Sequence, residues 1–316
     1  MHASVIICTW NRKASLAGVL RSLEQMRVPP EVQWEVLIVD NNSADGTAEM
    51  VSEFIRSTKL SCRYIFEARQ GKSFALNSGV QHARGEILAF TDDDVTVHED
   101  WLAQLLEAFA RFECAGVAGR IDPVWKVARP SWFVTEGPHR LMAAIVMYNL
   151  GEQPHPVTVP PFGANLALRR SVFAKYGDFR TDLGPTAGSE IRGEDTEFCR
   201  RLMSAGDHIY YSPQAIVYHP VEPERTTKAF FKKWYFDYGR SLVIKNGVPA
   251  GARRLAGIPL YTVRILVEQG IRWVTTLQGA RRFYFKLSVY ETLGAMIQAR
   301  RMHNARRSRA TEAAAP

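Results

Sequence analysis

The chain of 316 residues has few cysteines and no long hydrophobic run. The four cysteines stand apart, with no CxxC pair, at Cys8, Cys62, Cys114 and Cys199. This scatter argues against a disulfide framework and a cysteine zinc site, and it favours a reducing compartment. No stretch approaches the roughly 18 uncharged apolar residues of a membrane span, so we expect no transmembrane helix. The apolar stretch near the N-terminus is too short for a signal peptide and follows no basic segment.

Acidic residues are scarce in the last third of the chain. Residues 221–316 hold 18 of the 40 lysines and arginines but only 6 of the 32 acidic residues, a net charge of +12. Residues 1–220 hold the other 22 basic and 26 acidic residues, a net charge of −4. A basic tail on a mildly acidic body favours a polyanionic partner, either an anionic membrane surface or a nucleic acid.

Strand and helix patterns alternate in the first third of the chain. Apolar runs and helical periodicity predict strands at 4–9, 35–40, 62–67 and 86–94, and helices at 14–26, 47–57, 72–83 and 101–112. Short connections between alternating strands and helices are typical of a mainly parallel sheet covered on both faces. We therefore predict an α/β protein with a Rossmann-like central sheet.

The pattern loosens after residue 116. We predict a strand at 116–121, a Pro- and Trp-rich segment at 123–161, a strand and a helix within 160–179, a helix at 193–206 and a strand pair at 209–220. Broken helical periodicity follows over 226–246 and 255–302. The predicted organisation is an α/β body at 1–220, a basic helical extension at 221–303 and a disordered tail at 304–316.

Polar side chains follow three predicted strands, at Thr9–Asn11, Asp40–Asn42 and Asp92–Asp94. Ligands of parallel sheets bind beyond the carboxyl ends of the strands, so these positions predict a shared binding site. The sequence TWNR follows the first strand where a dinucleotide-binding protein would have GxGxxG, and no GxxxxGK[ST] occurs. Both NAD binding and a P-loop are therefore disfavoured.

Three adjacent carboxylates, Asp92, Asp93 and Asp94, end an apolar strand. Adjacent carboxylates repel one another, so a cation is expected beside them. Oxygen ligands in small number suit Mg²⁺ or Mn²⁺, with water and substrate phosphates completing the shell. The alternative is a solvated acidic turn or a cap for the following helix.

Asp40 and a group of cations have two interpretations each. Asp40 suits hydrogen bonds from a base or ribose, or it belongs to a tight turn with the Asn and Gly residues that follow. Arg69 and Lys72 flank Gly71 just before a helix, which suits a phosphate or an ordinary solvated loop. Arg12 after the first strand poses the same choice.

Glu194 and Asp195 begin a predicted helix, where carboxylates are favoured by the helix dipole. Either residue suits a general base, and helix capping is the alternative. His219 ends a strand and suits a metal or phosphate ligand, or it is structural.

Taken together, the motifs resemble the inverting glycosyltransferases of family 2, which have the GT-A fold. The resemblance covers roughly residues 4–220 and rests on SVIICTWNR, VDNNSADGT, RQGKSFALNSG, ILAFTDDD followed by WL, FGANLALRR and GEDTEFCRRL. The remaining third matches only loosely, in its HP and WYFDYGR segments.

The resemblance implies a role for each of these residues. It places Thr9, Asn11, Arg12, Asp40, Arg69, Lys72, Asp92 and Asp93 at the nucleotide, Gly163 and Asn165 at the donor sugar or acceptor, and Asp94 with His219 at the metal. Asp195 would be the catalytic base, and Glu194 the second candidate for it.

The implied reaction is inverting transfer of a sugar from a nucleoside-diphosphate donor, most often a UDP-sugar, to a hydroxyl of a glycan or lipid-linked acceptor. It implies Mg²⁺ or Mn²⁺, bacterial-type cell-surface polysaccharide synthesis, and a cytoplasmic protein that is cytosolic or peripheral on the inner face of the plasma membrane. No nucleic acid is expected, and a homo-oligomer is left open. The alternatives are a polyprenyl-phosphate sugar synthase, a catalytically inactive nucleotide-binding module, and a basic nucleic-acid-binding protein.

Two C-terminal segments, 258–277 and 283–297, mix apolar and aromatic residues with arginine. This composition is typical of a helix that lies in a membrane interface. Helices that pack on the catalytic body or on a second subunit are the alternative.

Overall fold

The computed structural model describes the backbone of residues 1–313 and the side-chain environments of residues 1–308. Its first half consists of β1 (Ala3–Thr9), α1 (Lys13–Glu24), β2 (Trp34–Asp40), α2 (Thr47–Ser57), β3 (Cys62–Phe66), α3 (Lys72–His82), β4 (Ile87–Thr91), β5 (Thr96–Val97), α4 (Trp101–Arg111) and β6 (Gly116–Trp125). The predicted alternation of strand and helix is confirmed.

The second half begins with a short 3₁₀ helix (Met142–Ile145), β7 (His155–Pro156), β8 (Asn165–Arg169), α5 (Ser171–Tyr176), α6 (Glu194–Ser204) and β9 (Ile209–Val221). A second 3₁₀ helix (Pro223–Thr226), α7 (Lys228–Asn246), β10 (Arg254–Leu255), β11 (Ile258–Pro259), α8 (Leu260–Thr275) and α9 (Gly279–Ala313) complete the described residues. The predicted disordered tail overlaps the end of α9, and residues 314–316 of it lie outside the described residues.

The chain forms two compact units. The sheet unit comprises Met1–Trp125, Val146–Gly188 and Glu194–Val221. The helical unit comprises Lys126–Ile145, Ser189–Gly193 and the chain from Glu222 onward. The helical unit thus takes in part of the Pro- and Trp-rich segment as well as the basic extension.

The sheet unit is built on one mainly parallel sheet. Among residues 1–313 this sheet has nine strands in the order β3-β2-β1-β4-β8-β6-β9-β5, with β7 also paired to β9. Strands β1 to β4 run parallel, β8 is antiparallel to both of its neighbours, and β6 and β9 are parallel to each other.

Both faces of the sheet are covered, which explains the uninterrupted apolar runs in its strands. On one face, Ile6 and Leu37 pack with α3 and α6; on the other, Val5 and Ile7 pack with α1 and α4. The side chains that alternate along β1 therefore enter two separate core layers.

Two strand predictions need correction. The predicted strand pair at 209–220 is a single strand, β9, whose register against β6 shifts between Gly119 and Arg120. The sequence Ser212-Pro213-Gln214, whose residue types favour a turn, lies within β9 at this register shift. The strand predicted to end at 121 continues to Trp125 despite Pro123. On the side of β6 that faces β8, pairing with β8 ends at residue 118 and a single bridge joins Ile121 to Tyr148, so Pro123 lies beyond these contacts.

In the helical unit, α7 and α9 cross at very close range. A Cβ added to Gly294 would lie 1.9 Å from the carbonyl oxygen of Phe236, and one added to Gly239 would lie 1.9 Å from that of Glu291. Only glycine permits this approach of the two backbones. Within residues 1–313, no helix combines the length and the apolar character needed to cross a membrane.

Candidate functional site

The polar residues of the sheet unit meet at one edge of its sheet. Strands β1, β2 and β4 end at this edge, and the antiparallel β8 begins there. Thr9 stands beside Asp40, and Thr91 stands beside Asn165. Backbone direction alone therefore brings together segments that are far apart in the sequence.

Asp92, Asp94 and His219 form a cluster that could hold a metal ion. Each offers one ligand atom, and these atoms lie within 4.8 Å of one another. His219, on β9, is 2% exposed, and its Nε2 lies 3.6 Å from Asp94 Oδ1. That oxygen is buried and receives no hydrogen bond. A buried carboxylate oxygen without a donor, beside a second carboxylate and an imidazole, fits a divalent cation.

Arg12 binds the two carboxylates that follow Asp92. Its guanidinium Nη1 donates to Asp93 Oδ1 at 3.1 Å and to Asp94 Oδ2 at 2.7 Å. Through these two hydrogen bonds Arg12 holds the loop after β4 close to the end of β1. Burial raises the pKa of Asp93 to about 6, although the positive charge of Arg12 acts to lower it.

Lys72 connects the loop after β4 with the start of α6. Its Nζ lies 2.7 Å from Asp92 Oδ1 and 3.8 Å from Glu194 Oε1. Burial acts to lower the pKa of Lys72, but the charges of Asp92, Glu194 and Asp195 hold it above its ordinary value. Burial also acts to raise the pKa of Asp92, and the Lys72 ammonium outweighs this effect and lowers it.

Glu194 and Asp195 lie in the first turn of α6 but in different surroundings. Glu194 is 3% exposed, and burial together with the charge of Asp195 raises its pKa to about 7. The Asp195 carboxylate accepts the Gly163 N–H at Oδ2 and the Thr196 N–H at Oδ1, both at 2.6 Å. Two backbone donors thus fix the orientation of Asp195.

A pocket lies between these groups. Its polar lining comes from Lys72, Asp92, Glu194 and Asp195, and its apolar lining includes Phe90 and Phe179. Asp195 therefore shares a pocket with Asp92, which also belongs to the cluster with Asp94 and His219. Cys8 and Thr91 line the pocket too, although their residue types gave no sequence signal for a site.

A second group of polar contacts surrounds Asp40 at the end of β2. Asp40 is 1% exposed and accepts the Tyr64 hydroxyl at 2.7 Å and the Ser43 N–H at 2.9 Å. Asn41 ties the neighbouring loops together: its side-chain amide donates to the carbonyls of Glu67 and Arg69. Sequence reasoning missed Tyr64, because a tyrosine in a strand is usually a packing residue.

Thr9, Asn11 and Arg69 also lie around this edge. The Thr9 hydroxyl is buried close to the Asp93 carboxylate. Asn11 adopts a left-handed φ of 51°, and its Oδ1 accepts the Ala44 N–H at 2.7 Å. Arg69 is largely exposed and donates to both carboxylate oxygens of Glu67 at 2.8 Å. The Arg69 fork is therefore already paired within the chain.

The side chain of Asn165 is engaged within the core. It is fully buried: its Oδ1 accepts Trp101 Nε1–H, and its Nδ2 donates to the carbonyls of Arg120 and Ala215, each at 2.8 Å. With both donors and the acceptor satisfied, Asn165 joins β8 to β6 and β9. Its predicted place near the donor sugar or acceptor stays a prediction, and Gly163, two residues earlier, borders the pocket.

The comparisons with known proteins agree on one family. The model of glycosyl transferase family 2 matches residues 4–177, more than half of the chain. The chain is 30% identical over 242 residues to succinoglycan biosynthesis protein ExoM of Rhizobium meliloti, covering 76% of this chain and 74% of the relative. It is 26% identical over 233 residues to a glucosyl-dolichyl phosphate glucuronosyltransferase of Haloferax volcanii, covering 72% and 71%.

Solved structures show the same fold at lower identity. The mannosyltransferase PcManGT of Pyrobaculum calidifontis, solved with GDP-Man and Mn²⁺, matches with a TM-score of 0.56 at 20% identity and covers 99% of this chain and 79% of its own. Residues 1–349 of TarS from S. aureus, solved with UDP, match with a TM-score of 0.55 at 17% identity, covering 96% and 92%. These likenesses confirm the predicted GT-A architecture with its C-terminal helices. The chain belongs to glycosyl transferase family 2.

Proposed function

We propose that this glycosyltransferase inverts the anomeric carbon as it moves a sugar from a nucleoside-diphosphate donor to a hydroxyl of a glycan or lipid-linked acceptor. The observation that carries this proposal is the shared pocket. An oriented carboxylate, Asp195, faces the same space as Lys72 and Asp92, beside a cluster whose donor atoms suit a divalent cation. A proton acceptor and a site for a diphosphate are the two requirements of direct displacement.

The residues of the pocket have separate roles in the proposed reaction. Asp195 takes the proton of the acceptor hydroxyl while the acceptor oxygen bonds to the anomeric carbon and the bond from that carbon to the diphosphate breaks. The N–H groups of Gly163 and Thr196 keep the Asp195 carboxylate in place for this step. Because the bond forms on the face opposite the leaving group, one displacement inverts the configuration.

Asp92, Asp94 and His219 would hold Mg²⁺ or Mn²⁺, which when bound supplies positive charge for the leaving diphosphate. Lys72 fixes the position of Asp92 through its 2.7 Å contact and adds a cation to the pocket. Arg12 holds Asp94 in place from the other side.

Relatives and structural neighbours support the substrate classes. The neighbours were solved with GDP-Man and Mn²⁺ or with UDP, so a nucleotide sugar is the expected donor, and UDP-sugars are tested first. One relative is named for succinoglycan biosynthesis and another for a glucosyl-dolichyl phosphate acceptor. We therefore propose an acceptor that is a growing polysaccharide or a lipid-linked glycan.

The test uses the purified chain with a panel of UDP-, GDP- and dTDP-sugars, with Mn²⁺, with Mg²⁺ and with chelator. We expect metal-dependent release of nucleoside diphosphate from one donor, with water as a slow acceptor. Proton NMR of the first sugar released should show the inverted anomer. Failure of every donor to turn over, together with no metal-dependent binding of UDP or GDP, would contradict the proposal. A retained anomer would reject its inverting part.

A further inference from the structure

The helical unit exposes a continuous apolar stripe on α8. Its members are Leu260, Val263, Val267, Ile271 and Val274, which we call the α8 stripe. At about 100° per residue these five side chains lie within about 80° of the helix circumference. Val267, Ile271 and Val274 are 56%, 59% and 68% exposed. Since one or two exposed apolar residues need no explanation but an aligned row of five does, the stripe indicates a contact surface.

The other side of α8 is already used. It packs on α9, and Thr262 is the buried residue of α8. Lys286 of α9 lies over the Trp273 ring at 5.0 Å, and Arg272 lies over the Phe285 ring at 5.8 Å. The stripe therefore lies outside the contact between α8 and α9.

The segment 283–297, in contrast, is not a surface of this kind. Phe283, Phe285 and Leu287 are buried, and α9 packs along α7 through this region. Of the two segments with interfacial composition, 258–277 presents an aligned row of exposed apolar residues, whereas Phe283, Phe285 and Leu287 of the second segment are buried.

The charge around the stripe identifies its partner. Residues 251–282 contain six arginines and a single acidic residue, Glu268, which is paired with Arg272 at 2.6 Å. All six arginines are exposed, at 253, 254, 264, 272, 281 and 282. Exposed apolar residues in line with exposed cations fit the boundary between the headgroups and acyl chains of an anionic bilayer.

A second copy of the chain fits the stripe less well. Packing two stripes face to face would bring the arginines of both copies together, and Glu268 is already neutralised within its own helix. Like charges at that distance oppose association, whereas an anionic lipid surface attracts them.

We propose that α8 lies in the plane of an anionic membrane surface and docks the protein there through the α8 stripe, with the surrounding arginines on the lipid headgroups. Leu255 and Leu277, 71% and 95% exposed, extend the apolar contact beyond the two ends of the helix. The proposal is independent of the sugar and nucleotide that the enzyme uses.

The test is flotation of the purified full chain with phosphatidylcholine vesicles, with and without phosphatidylglycerol. The wild type should float with the anionic vesicles, less so at high salt, and remain unbound with phosphatidylcholine alone. The double variant Val267→Ser with Ile271→Ser removes apolar surface without changing the net charge. Its affinity for anionic vesicles should fall by about tenfold or more. The matched control is Val159→Ser, which removes a valine of similar exposure (50%) outside the stripe and should bind as the wild type does.

Arginine variants test the charge separately. Arg264→Gln should weaken binding to anionic vesicles about fivefold. The double variant Arg281→Gln with Arg282→Gln should lose about fivefold for each of its two arginines, and the binding of both variants should depend less on salt than that of the wild type. Thermal unfolding of each variant verifies that it is folded.

Three results would overturn the proposal. The first is a wild type that stays unbound with anionic vesicles, and the second is a serine double variant that floats as well as the wild type. The third comes from light scattering without lipid: a wild-type dimer that the serine variant converts to monomer would assign the stripe to a second copy.

Discussion

Replacing Asp195 or Asp94 by asparagine should separate catalysis from donor binding. Asp195 accepts two backbone N–H groups, one at each carboxylate oxygen. Asparagine has one oxygen, so one of these N–H groups would face an amide NH₂. We expect the loss of one such bond to lower the free energy of unfolding by about 1–3 kcal/mol, which leaves the chain folded.

The effect on transfer should be larger than the effect on folding. Without a proton acceptor at residue 195, the transfer rate should fall by about 10²–10⁴-fold, and Mn²⁺-dependent binding of UDP should be unchanged. In Asp94→Asn the buried oxygen beside His219 loses its charge, so metal-dependent nucleotide binding should weaken by at least about 10–100-fold. Calorimetry of UDP with and without Mn²⁺ measures the binding, and a coupled assay of diphosphate release measures the transfer.

Glu194→Gln is the matched control on the same turn of α6. Glu194 faces Lys72 and is buried, so its variant should keep more transfer activity than Asp195→Asn. If Asp195→Asn abolishes UDP binding while Asp94→Asn preserves it, the roles assigned to these two carboxylates are wrong. Loss of transfer in Glu194→Gln instead of Asp195→Asn would assign the proton acceptor to Glu194.

Three further predictions concern packing and pH. In Gly163→Ala the new Cβ would lie 3.3 Å from Asp195 Oδ2, so transfer should fall by up to about 100-fold while UDP affinity, measured by calorimetry, stays constant. Gly294→Ala should destabilise the chain by about 1–3 kcal/mol or more in urea unfolding, whereas Gly270→Ala, which has open space, should stabilise it by about 0.5–1 kcal/mol. Equal changes in the free energy of unfolding for Gly294→Ala and Gly270→Ala would contradict the close crossing of α7 and α9. Burial raises the pKa of Glu291 to about 7, so its stabilising contribution is present below pH about 4.5 and is lost by pH about 7. Glu291→Gln should therefore be more stable than wild type at pH 8, by about 1–3 kcal/mol, with a much smaller difference at pH 4.5.

The residues at the strand ends show what sequence patterns alone can predict. Apolar runs placed β1, β2 and β4 within a few residues, and polar side chains at their carboxyl ends located the pocket edge. Periodicity of this kind depends on neighbours in the chain, so a sequence carries it directly. The family resemblance then ordered the residues by role, and family membership is confirmed.

Side-chain contacts between different strands could not be predicted from sequence periodicity. Nothing in FGANLALRR reveals that the Asn165 amide is fully engaged by Trp101, Arg120 and Ala215. The segments 258–277 and 283–297 have similar compositions, but the α8 stripe is exposed and Phe283, Phe285 and Leu287 are buried. This difference depended on which side of each helix packs against a neighbour.

Local sequence patterns were enough to predict the alternation of strand and helix, the charge of the last third and the residue types that a site could use. Which carboxylate lies beside which cation depended on the fold. Lys72 lies between Asp92 and Glu194 because α3, the loop after β4 and the start of α6 converge at one edge of the sheet. Contacts between residues so distant in sequence depend on strand order and register, which are set by the packing of the whole sheet and not by any single segment.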